Sequence, residues 1–340
     1  MLGITISSLI LISFSFFNLL GIDRPLFTNQ LFFCLVGIVA FIAVRFLGKR
    51  FFASNAALFH ISFLVLLVVT YVIGFEAKGS KRWIDLLVFN FQPSEFFKIF
   101  FILYLSVLLA KKSNKFSEFG MFIISLFVFA VPTMIIFLQP DLGNAMVYFV
   151  IYLSIVLFSY IPKRYVLSFI LILALALPVG SLFLKDYQRD RLTSFINPGH
   201  DPAASYNMAQ AVITSGSGRM LGKGLSRGTQ SQLSFLPENH TDFAFSSLLE
   251  QFGFMGGAAI LSLYGALMYF LIKKAYGYVQ QGEEEWYLFT LGFATFILFQ
   301  MMINVGMNMG VMPVAGITLP FISYGGSALV TLFIGLAMVI

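Results

Sequence analysis

Long apolar runs alternate along the chain with short polar connections. Ten runs approach the ~20 residues that a helix needs to cross a bilayer, and they lie at about residues 4–22, 29–47, 56–74, 94–110, 119–138, 143–160, 165–184, 243–272, 286–305 and 321–340. Lipid offers no partner for backbone N–H and C=O groups, so apolar runs of this length predict α-helices. The pattern therefore predicts an all-α polytopic membrane protein with ten transmembrane helices.

One polar interval, at about residues 185–242, separates the seventh run from the eighth. It is too rich in Gly, Pro, Asn and Ser to cross the membrane, and connections of this length are usually functional or disordered. Its last part, Gly228 to Phe243, gathers amides, hydroxyls, a histidine and two carboxylates before an apolar run. We expect a single membrane domain, residues 1–340, with a large loop that carries a site.

Composition agrees with a membrane protein. Hydrophobic residues make up 59% of the chain and charged residues 11%, and the mean hydropathy is +0.90; these values exclude a soluble domain, which needs a polar surface. Cys34 is the single cysteine, which excludes a disulfide framework and a cysteine-based metal site. The net charge of +6 does not indicate nucleic-acid binding, because the basic residues are scattered over short connections.

The basic residues predict the orientation in the membrane. The connections after the second, fourth, sixth and eighth runs carry Lys49 and Arg50, Lys111, Lys112 and Lys115, Lys163 and Arg164, and Lys273 and Lys274. By the positive-inside rule, these connections and both termini are cytoplasmic. The loop at 185–242, and with it the candidate site, is then extracytoplasmic.

Two charged residues, Glu95 and Lys98, lie inside the fourth run, three positions apart and so on one helix face. An intramembrane charge is costly unless it is paired or faces a wet cavity, so a structural ion pair and a cavity-lining role both stay open. Trp83, shortly before this run, is either an interfacial anchor or a substrate contact. Asp141, in the Gln139-Pro-Asp-Leu-Gly143 turn, is favoured as the N-cap of the sixth helix.

Basic and acidic residues of the loop are candidates for anion binding and catalysis, and each also has a simpler structural interpretation. The basic set is Arg189, Arg191, Arg219, Lys223 and Arg227. Gly222-Lys-Gly224 would let backbone amides approach an anion, although solvated surface charge is the commoner meaning of scattered Arg and Lys. Asp242 either caps the eighth helix or acts chemically, and the residues alone support both equally. His240 would tune Asp242 or orient the loop.

Several fragments, taken together and in order from the third run to the tenth, resemble the SEDS family of shape, elongation, division and sporulation proteins. They are Lys81-Arg-Trp-Ile84, Gln92-Pro-Ser-Glu95 with Lys98, Gln139-Pro-Asp-Leu-Gly143, Gly222-Lys-Gly224, Gly228-Thr-Gln-Ser-Gln-Leu233, Leu236-Pro-Glu238, His240-Thr-Asp-Phe243 and Ser323-Tyr-Gly-Gly-Ser327. The Thr-Gln-Ser-Gln-Leu sequence before Leu-Pro-Glu is more similar to the elongation (RodA) branch than to the division (FtsW) branch.

The resemblance implies a peptidoglycan glycosyltransferase that polymerises lipid II, an undecaprenyl-pyrophosphoryl disaccharide pentapeptide, on the outer face of the bacterial cytoplasmic (inner) membrane. It implies a class B penicillin-binding protein transpeptidase, the elongation machinery and membrane lipids as partners, and no nucleic acid. It places the catalytic carboxylate at Asp242. Substrate-binding positions that follow from the resemblance and from residue type are Arg82, Trp83, Glu95, Lys98, Arg191, Arg219, Lys223, Gln232, Glu238, His240, Thr241 and Ser323.

An α-linked donor that gives a β-linked product requires inversion, so one base suffices, while the pyrophosphate leaving group needs cations more than a proton. Inverting glycosidases differ, because they need a second carboxylic acid for a poor leaving group. A divalent cation, Mg²⁺ or Mn²⁺, would share this work, but the sequence has no dedicated ligand cage. The alternatives are a lipid-precursor flippase or transporter, for which ten spans and an intramembrane pair also suit alternating access, a division-type polymerase, and a scaffold.

Overall fold

The computed structural model describes residues 1–77, 80–85, 90–112, 115–180 and 202–340, together with residues 189, 193, 195 and 197. Within these ranges the chain is mostly helical. The helices are α1 Leu2–Ile22, α2 Arg24–Leu47, α3 Lys49–Ser54, α4 Ala56–Ile73, α5 Pro93–Leu109, α6 Glu118–Leu138, α7 Leu142–Phe158, α8 Lys163–Gly180, α9 Pro202–Ser217, α10 Thr229–Gln232, α11 Ala244–Gln281, α12 Glu284–Asn308 and α13 Gly326–Val339.

Six helices of the described ranges are long and apolar enough to cross a membrane: α1, α2, α4, α6, α11 and α12. The sequence predicted ten spans, and the other four coincide with α5, α7, α8 and α13. Three of these four helices have only 17, 17 and 14 residues, which is short of the ~20 of a full span. The fold is thus polytopic and helical, with six clear candidate spans.

A small antiparallel sheet lies where the sequence predicted only a connection before the fourth run. Its strands are β1 Phe75–Ala77, β2 Ser80–Asp85 and β3 Asn90–Phe91, in the order β1-β2-β3. Phe75 pairs with Trp83, and Ile84 pairs with Phe91. The strictly all-α prediction is therefore wrong at this segment, where alternation over a few residues gave too weak a strand signal.

The loop predicted at about 185–242 is described mainly from residue 202 onward. It contains α9 and the single turn α10, and its end leads into α11. Ala211, Leu236 and Phe243 form a small buried core, against which Val314 packs. Arg191, one of the predicted cation sites, lies outside the described residues.

The described chain forms two compact units. The first comprises Met1–Cys34, Leu177–Tyr269 and Leu298–Gly325, and the second comprises Leu35–Ala176, Phe270–Ile297 and Gly326–Ile340. In the second unit α5 is almost wholly buried, and it packs against α4, α7 and α13. The candidate residues are distributed over both units, and each unit is considered in turn.

Candidate functional site

Asp242 lies in the first unit, in the turn just before α11, which begins at Ala244. The next residue, Phe243, is 2% exposed and belongs to the small core with Ala211 and Leu236. Asp242 itself is half-buried. The buried neighbour anchors the turn, and the carboxylate sits at the start of a helix, where the dipole favours negative charge.

The three consecutive backbone carbonyls at 240–242 each accept a hydrogen bond from a distant part of the chain. The Tyr324 N–H donates to His240 O at 2.8 Å, and Ser323 Oγ donates to Thr241 O at 2.6 Å. Asn304 Nδ2 and Asn308 Nδ2 donate to Asp242 O at 2.9 and 3.0 Å. These bonds fix the path of the backbone that carries Asp242.

The first turn of α11 receives its cap from Asn308. Asn308 Oδ1 accepts from the Ser246 N–H at 2.9 Å and from Ser246 Oγ at 2.6 Å. A capping side chain normally accepts from the second or third helical N–H, and Ser246 occupies that third position. Asn308 therefore satisfies the Ser246 amide in the first turn of α11.

Glu250 is fully buried in the first unit and organises the loop around it. Its carboxylate accepts from Lys223 Nζ at 2.8 Å, from Ser231 Oγ at 2.7 Å, and from the backbone N–H groups of Gln230 and Ser231 at 2.9 and 3.0 Å. A buried carboxylate is tolerated when it is paired and hydrogen-bonded in this way. Glu250 therefore ties α10 and the 218–224 turn to α11.

Helix α11 is broken at Gly253, whose backbone has φ 66 and ψ −170, a region that in practice only glycine adopts. The 218–224 turn supplies the hydrogen bonds that the break removes. Lys223 and Gly224 N–H groups donate to the Glu250 and Gln251 carbonyls at 2.9 and 3.0 Å, and the Phe254 N–H donates to Arg219 O at 2.8 Å. The Lys223 and Gly224 amides are consequently used within the protein instead of facing an anion.

The other predicted residues of the first unit have the following places. Gln232 Nε2 donates to Gly21 O at 3.0 Å, and Thr241 Oγ1 donates to Glu238 Oε2 at 2.8 Å. His240 packs edge-to-face on Tyr324. Ser323 is buried, and its hydroxyl both donates to Thr241 O and accepts from the Leu319 N–H at 2.8 Å.

In the second unit Glu95 and Lys98 form a buried ion pair on α5, with Oε1 and Nζ 2.6 Å apart. The exposed fractions of the two residues are 5% and 0%. Lys98 Nζ also lies 5.2 Å from the centre of the Phe296 ring. The second oxygen of the carboxylate, Glu95 Oε2, has no hydrogen-bond partner among the described residues, so this pair has a remaining acceptor for a polar group.

Arg82 and Asp141 form a second pair in this unit, with Nη1 and Oδ2 3.2 Å apart. Asp141 also caps α7, since its Oδ1 accepts from the Asn144 N–H at 3.1 Å. The predicted cap is therefore confirmed. Trp83 is half-buried on β2, next to Arg82.

The predicted cations differ in whether a carboxylate of the protein pairs with them. Arg82 is paired with Asp141 and Lys223 with Glu250, whereas Arg219 is exposed on the 218–224 turn. Among the described residues no cluster of three or more His, Cys, Asp and Glu side chains is arranged to hold a metal ion.

Asn304, Asn308 and Glu250 were not among the residues that the sequence singled out for the site. A sequence signal existed for the asparagines, because uncharged polar side chains at the end of an apolar run are costly to bury without partners. Their partners lie about sixty residues away in the chain, at Asp242. Pairing over that separation does not follow from local spacing.

Comparison with known proteins begins with sequence. Residues 1–340 match the FtsW/RodA/SpoVE family, which is described as a cell cycle protein family. A probable peptidoglycan glycosyltransferase FtsW of Hydrogenovibrio crunogenus is 36% identical over 314 residues, which cover 92% of this chain and 80% of the relative. The peptidoglycan glycosyltransferase MrdB of Escherichia coli K12 is 34% identical over 313 residues, covering 89% of this chain and 82% of MrdB.

Solved structures give the same result. A chain from a study of polymerization and crosslinking by a peptidoglycan synthase complex superposes with a TM-score of 0.84 at 28% identity, and covers 100% of this chain and 96% of its own. The rod shape determining protein RodA of Thermus thermophilus superposes with a TM-score of 0.73 at 26% identity, covering 99% of this chain and 94% of that one.

Proposed function

This chain belongs to the FtsW/RodA/SpoVE family and is a peptidoglycan glycosyltransferase, and we propose that it polymerises lipid II with Asp242 as the general base. The observation that carries the assignment of Asp242 is its setting. The turn that holds it is fixed at three consecutive carbonyls, and Asn308, which bonds the Asp242 carbonyl, also caps the α11 amide at Ser246.

In this reaction the 4-hydroxyl of the acceptor GlcNAc attacks the anomeric carbon of the donor MurNAc. The C1–O bond to undecaprenyl pyrophosphate breaks, and the proton of the hydroxyl passes to the Asp242 carboxylate. A base placed within hydrogen-bond reach of the hydroxyl contributes about 10²- to 10⁴-fold. The leaving pyrophosphate carries away the electron pair and needs positive charge around it.

The cations proposed for the pyrophosphate are Arg82, Arg191, Arg219 and Lys223. Arg219 is the exposed one of those described, and an Arg suits bidentate contact with a phosphate. A pyrophosphate would compete with Glu250 for Lys223, and with Asp141 for Arg82. We therefore rank Arg219 first. Trp83, Glu95, Lys98, Gln232, Glu238, His240, Thr241 and Ser323 stay in the proposal as substrate-binding or supporting positions.

The proposal also includes the membrane topology of the enzyme and its partner. We propose ten spans, in which α5, α7, α8 and α13 join the six clear candidates, in a single functional domain over residues 1–340, which the family match also covers. Both termini are cytoplasmic and Asp242 faces outward in the bacterial cytoplasmic membrane, as the loop charges indicate. The similarity to a chain of a complex that couples polymerization and crosslinking supports a class B penicillin-binding protein transpeptidase as partner.

We propose an elongation role, with the elongation machinery as the larger assembly. Its support is the Thr229–Leu233 sequence before Leu236-Pro-Glu238. FtsW and MrdB relatives have similar sequence identities to this chain, so a complementation experiment is needed to decide the branch. We expect this chain to rescue rod shape in cells depleted of MrdB, and not to rescue septation in cells depleted of FtsW.

The test of the base is lipid II polymerisation by the purified protein, with and without a class B transpeptidase, before and after Asp242→Asn. The variant should lose about 10²- to 10⁴-fold in kcat and keep the thermal unfolding midpoint of the parent. Asp23→Asn, on an exposed residue after α1, is the matched control and should retain activity. Equal polymerisation by Asp242→Asn and the parent would overturn the base assignment, and no polymerisation by either would favour a flippase or a scaffold.

A further inference from the structure

Asn304 and Asn308 are fully buried at the end of α12, one helical turn apart. Both direct their amide nitrogens at a single oxygen, the carbonyl of Asp242, at 2.9 and 3.0 Å. A carbonyl oxygen has two lone pairs, so the two donors saturate it. This arrangement joins the C-terminal turn of α12 to a residue two positions before the start of α11.

Each asparagine is itself held by a second contact. Asn304 Nδ2 also donates to Ile317 O at 2.7 Å. Asn308 Nδ2 also donates to Asn304 O at 2.8 Å, and Asn308 Oδ1 accepts from Ser246 N and Oγ. The amide planes therefore have little freedom, and side chains locked in this way are what a precisely placed reactive group needs.

The carbonyl carbon of Asp242 is bonded to the same Cα that carries the carboxylate side chain, so a shift of this peptide moves the carboxylate with it. We propose that Asn304 and Asn308 are positioning residues for the glycosyl transfer, which set where the Asp242 carboxylate meets the acceptor hydroxyl. The inference rests on the proposed function of Asp242. Neither asparagine touches the reacting atoms in this assignment.

The expected effect follows from the geometry of proton transfer. A misplacement of about 1 Å costs on the order of 10²-fold in rate. Asn304→Leu keeps the number and branching of the side-chain heavy atoms and removes the Asn304 donors to Asp242 O and Ile317 O. It should lower kcat by about that factor. The KM for lipid II should stay within about twofold, because Asn304 makes no contact with the substrate in this assignment. The substitution would then affect the transition state and leave ground-state binding unchanged.

A double-mutant design separates positioning from a merely structural role. Residues that act as a unit are strongly non-additive, so Asn304→Leu should have no further effect on the residual activity of Asp242→Asn. A general loss of folded protein would instead lower the activity by the same factor in both backgrounds. Asn18→Leu is the matched control. Asn18 is equally buried in the same unit, and it bonds Ser247 and Gln251 instead of residues 240–242.

Asn308→Asp provides a second variant, in case Asn304→Leu does not fold. It keeps the volume and the oxygen that accepts from Ser246, and removes the donor to the Asp242 carbonyl. Both variants are assayed as full chains, with and without a class B transpeptidase, and with thermal midpoints measured. A parental kcat for a folded variant, or an equal factor of loss with and without Asp242, overturns the inference. An active Asp242→Asn overturns the proposed base itself, which is a different outcome.

Discussion

At the scale of single residues, the environment of Glu250 differs from that of an ordinary charged side chain. It is fully buried and accepts five hydrogen bonds, including one from Lys223. Glu250→Gln would replace one acceptor oxygen with an NH₂ group that faces N–H donors. We expect about 2–3 kcal/mol of lost stability, since a buried polar group without its partner costs ~1–3 kcal/mol.

Thermal unfolding in detergent measures this effect. The control is Glu118→Gln, which removes the partner of Lys112 in an exposed pair on the second unit; exposed pairs contribute little, so its midpoint should not change. A Glu250→Gln midpoint equal to that of the parent would show that the network around Glu250 does not stabilise the loop.

Residue-scale predictions from the sequence succeeded where the chemistry is local. The Asp141 cap and the pairing of Glu95 with Lys98 depend on residues three positions apart, and helix geometry makes such neighbours meet. The bonds from Lys223 to Glu250, from Ser323 to Thr241 and from Asn304 to Asp242 join residues 27 or more positions apart. Their contacts depend on packing between helices, which a single sequence does not encode in its spacing.

At the scale of secondary-structure elements, the break in α11 is the least regular feature. A Cβ at Gly253 would lie 2.3 Å from the Gly222 nitrogen and 2.6 Å from the Met220 carbonyl, in a backbone conformation that costs other residues ~1–3 kcal/mol. Gly253→Ala should therefore lower the unfolding midpoint and open the contact between the 218–224 turn and α11. Proteolysis of the loop, alongside the midpoint, would report that opening.

Gly265 is the matched control in the same helix, because a Cβ there meets nothing within 4 Å. Alanine is ~0.5–1 kcal/mol better than glycine in a helix interior, so Gly265→Ala should be neutral or stabilising. Equal unfolding midpoints for Gly253→Ala and Gly265→Ala would mean that the break at Gly253 does not require glycine. The sequence predicted a single span at 243–272, because an isolated glycine in an apolar run does not identify a break.

The junction of α3 with the ends of α11, α12 and α13 contains Lys49, outside the candidate spans. Its ammonium donates to the Tyr278 hydroxyl and lies 5.4 Å from the Trp286 ring centre. Burial, followed by repulsion from Lys274 and Arg45, lowers the pKa of Lys49 to about 8, and Glu283 partly opposes this shift.

The sign of the resulting pH dependence follows from proton binding. Between pH 8 and the ordinary lysine pKa of about 10.5, the unfolded chain binds the proton and the folded chain has released it, so stability rises with pH in this window. The unfolding midpoint of the parent should therefore rise relative to that of Lys49→Met from pH 8 to pH 10. A constant difference across that range would contradict the burial of the ammonium.

At the scale of the whole molecule, the ten apolar runs were located well from the sequence, and each coincides with a helix. The length of a hydrophobic run directly indicates the length of a membrane-spanning helix. The sheet at 75–91 and the division into two compact units were not foreseen, because they depend on pairing between segments. The orientation of the chain across the membrane is a further prediction at this scale, and it decides whether Asp242 can act outside the cell.

Substituted-cysteine labelling tests this orientation. Cys34, which is buried, is first replaced by Ala, and a single cysteine is then introduced by Arg227→Cys in the loop or by Lys115→Cys after α5. Both positions are exposed, so a membrane-impermeant maleimide discriminates them by side alone. In intact spheroplasts we expect labelling of the Arg227→Cys variant only. The Lys115→Cys variant should be labelled only after the membrane is permeabilised. This expectation follows from the rule that basic connections stay cytoplasmic. The reverse labelling pattern would place the loop and Asp242 inside the cell, and would be incompatible with glycan polymerisation at the outer face.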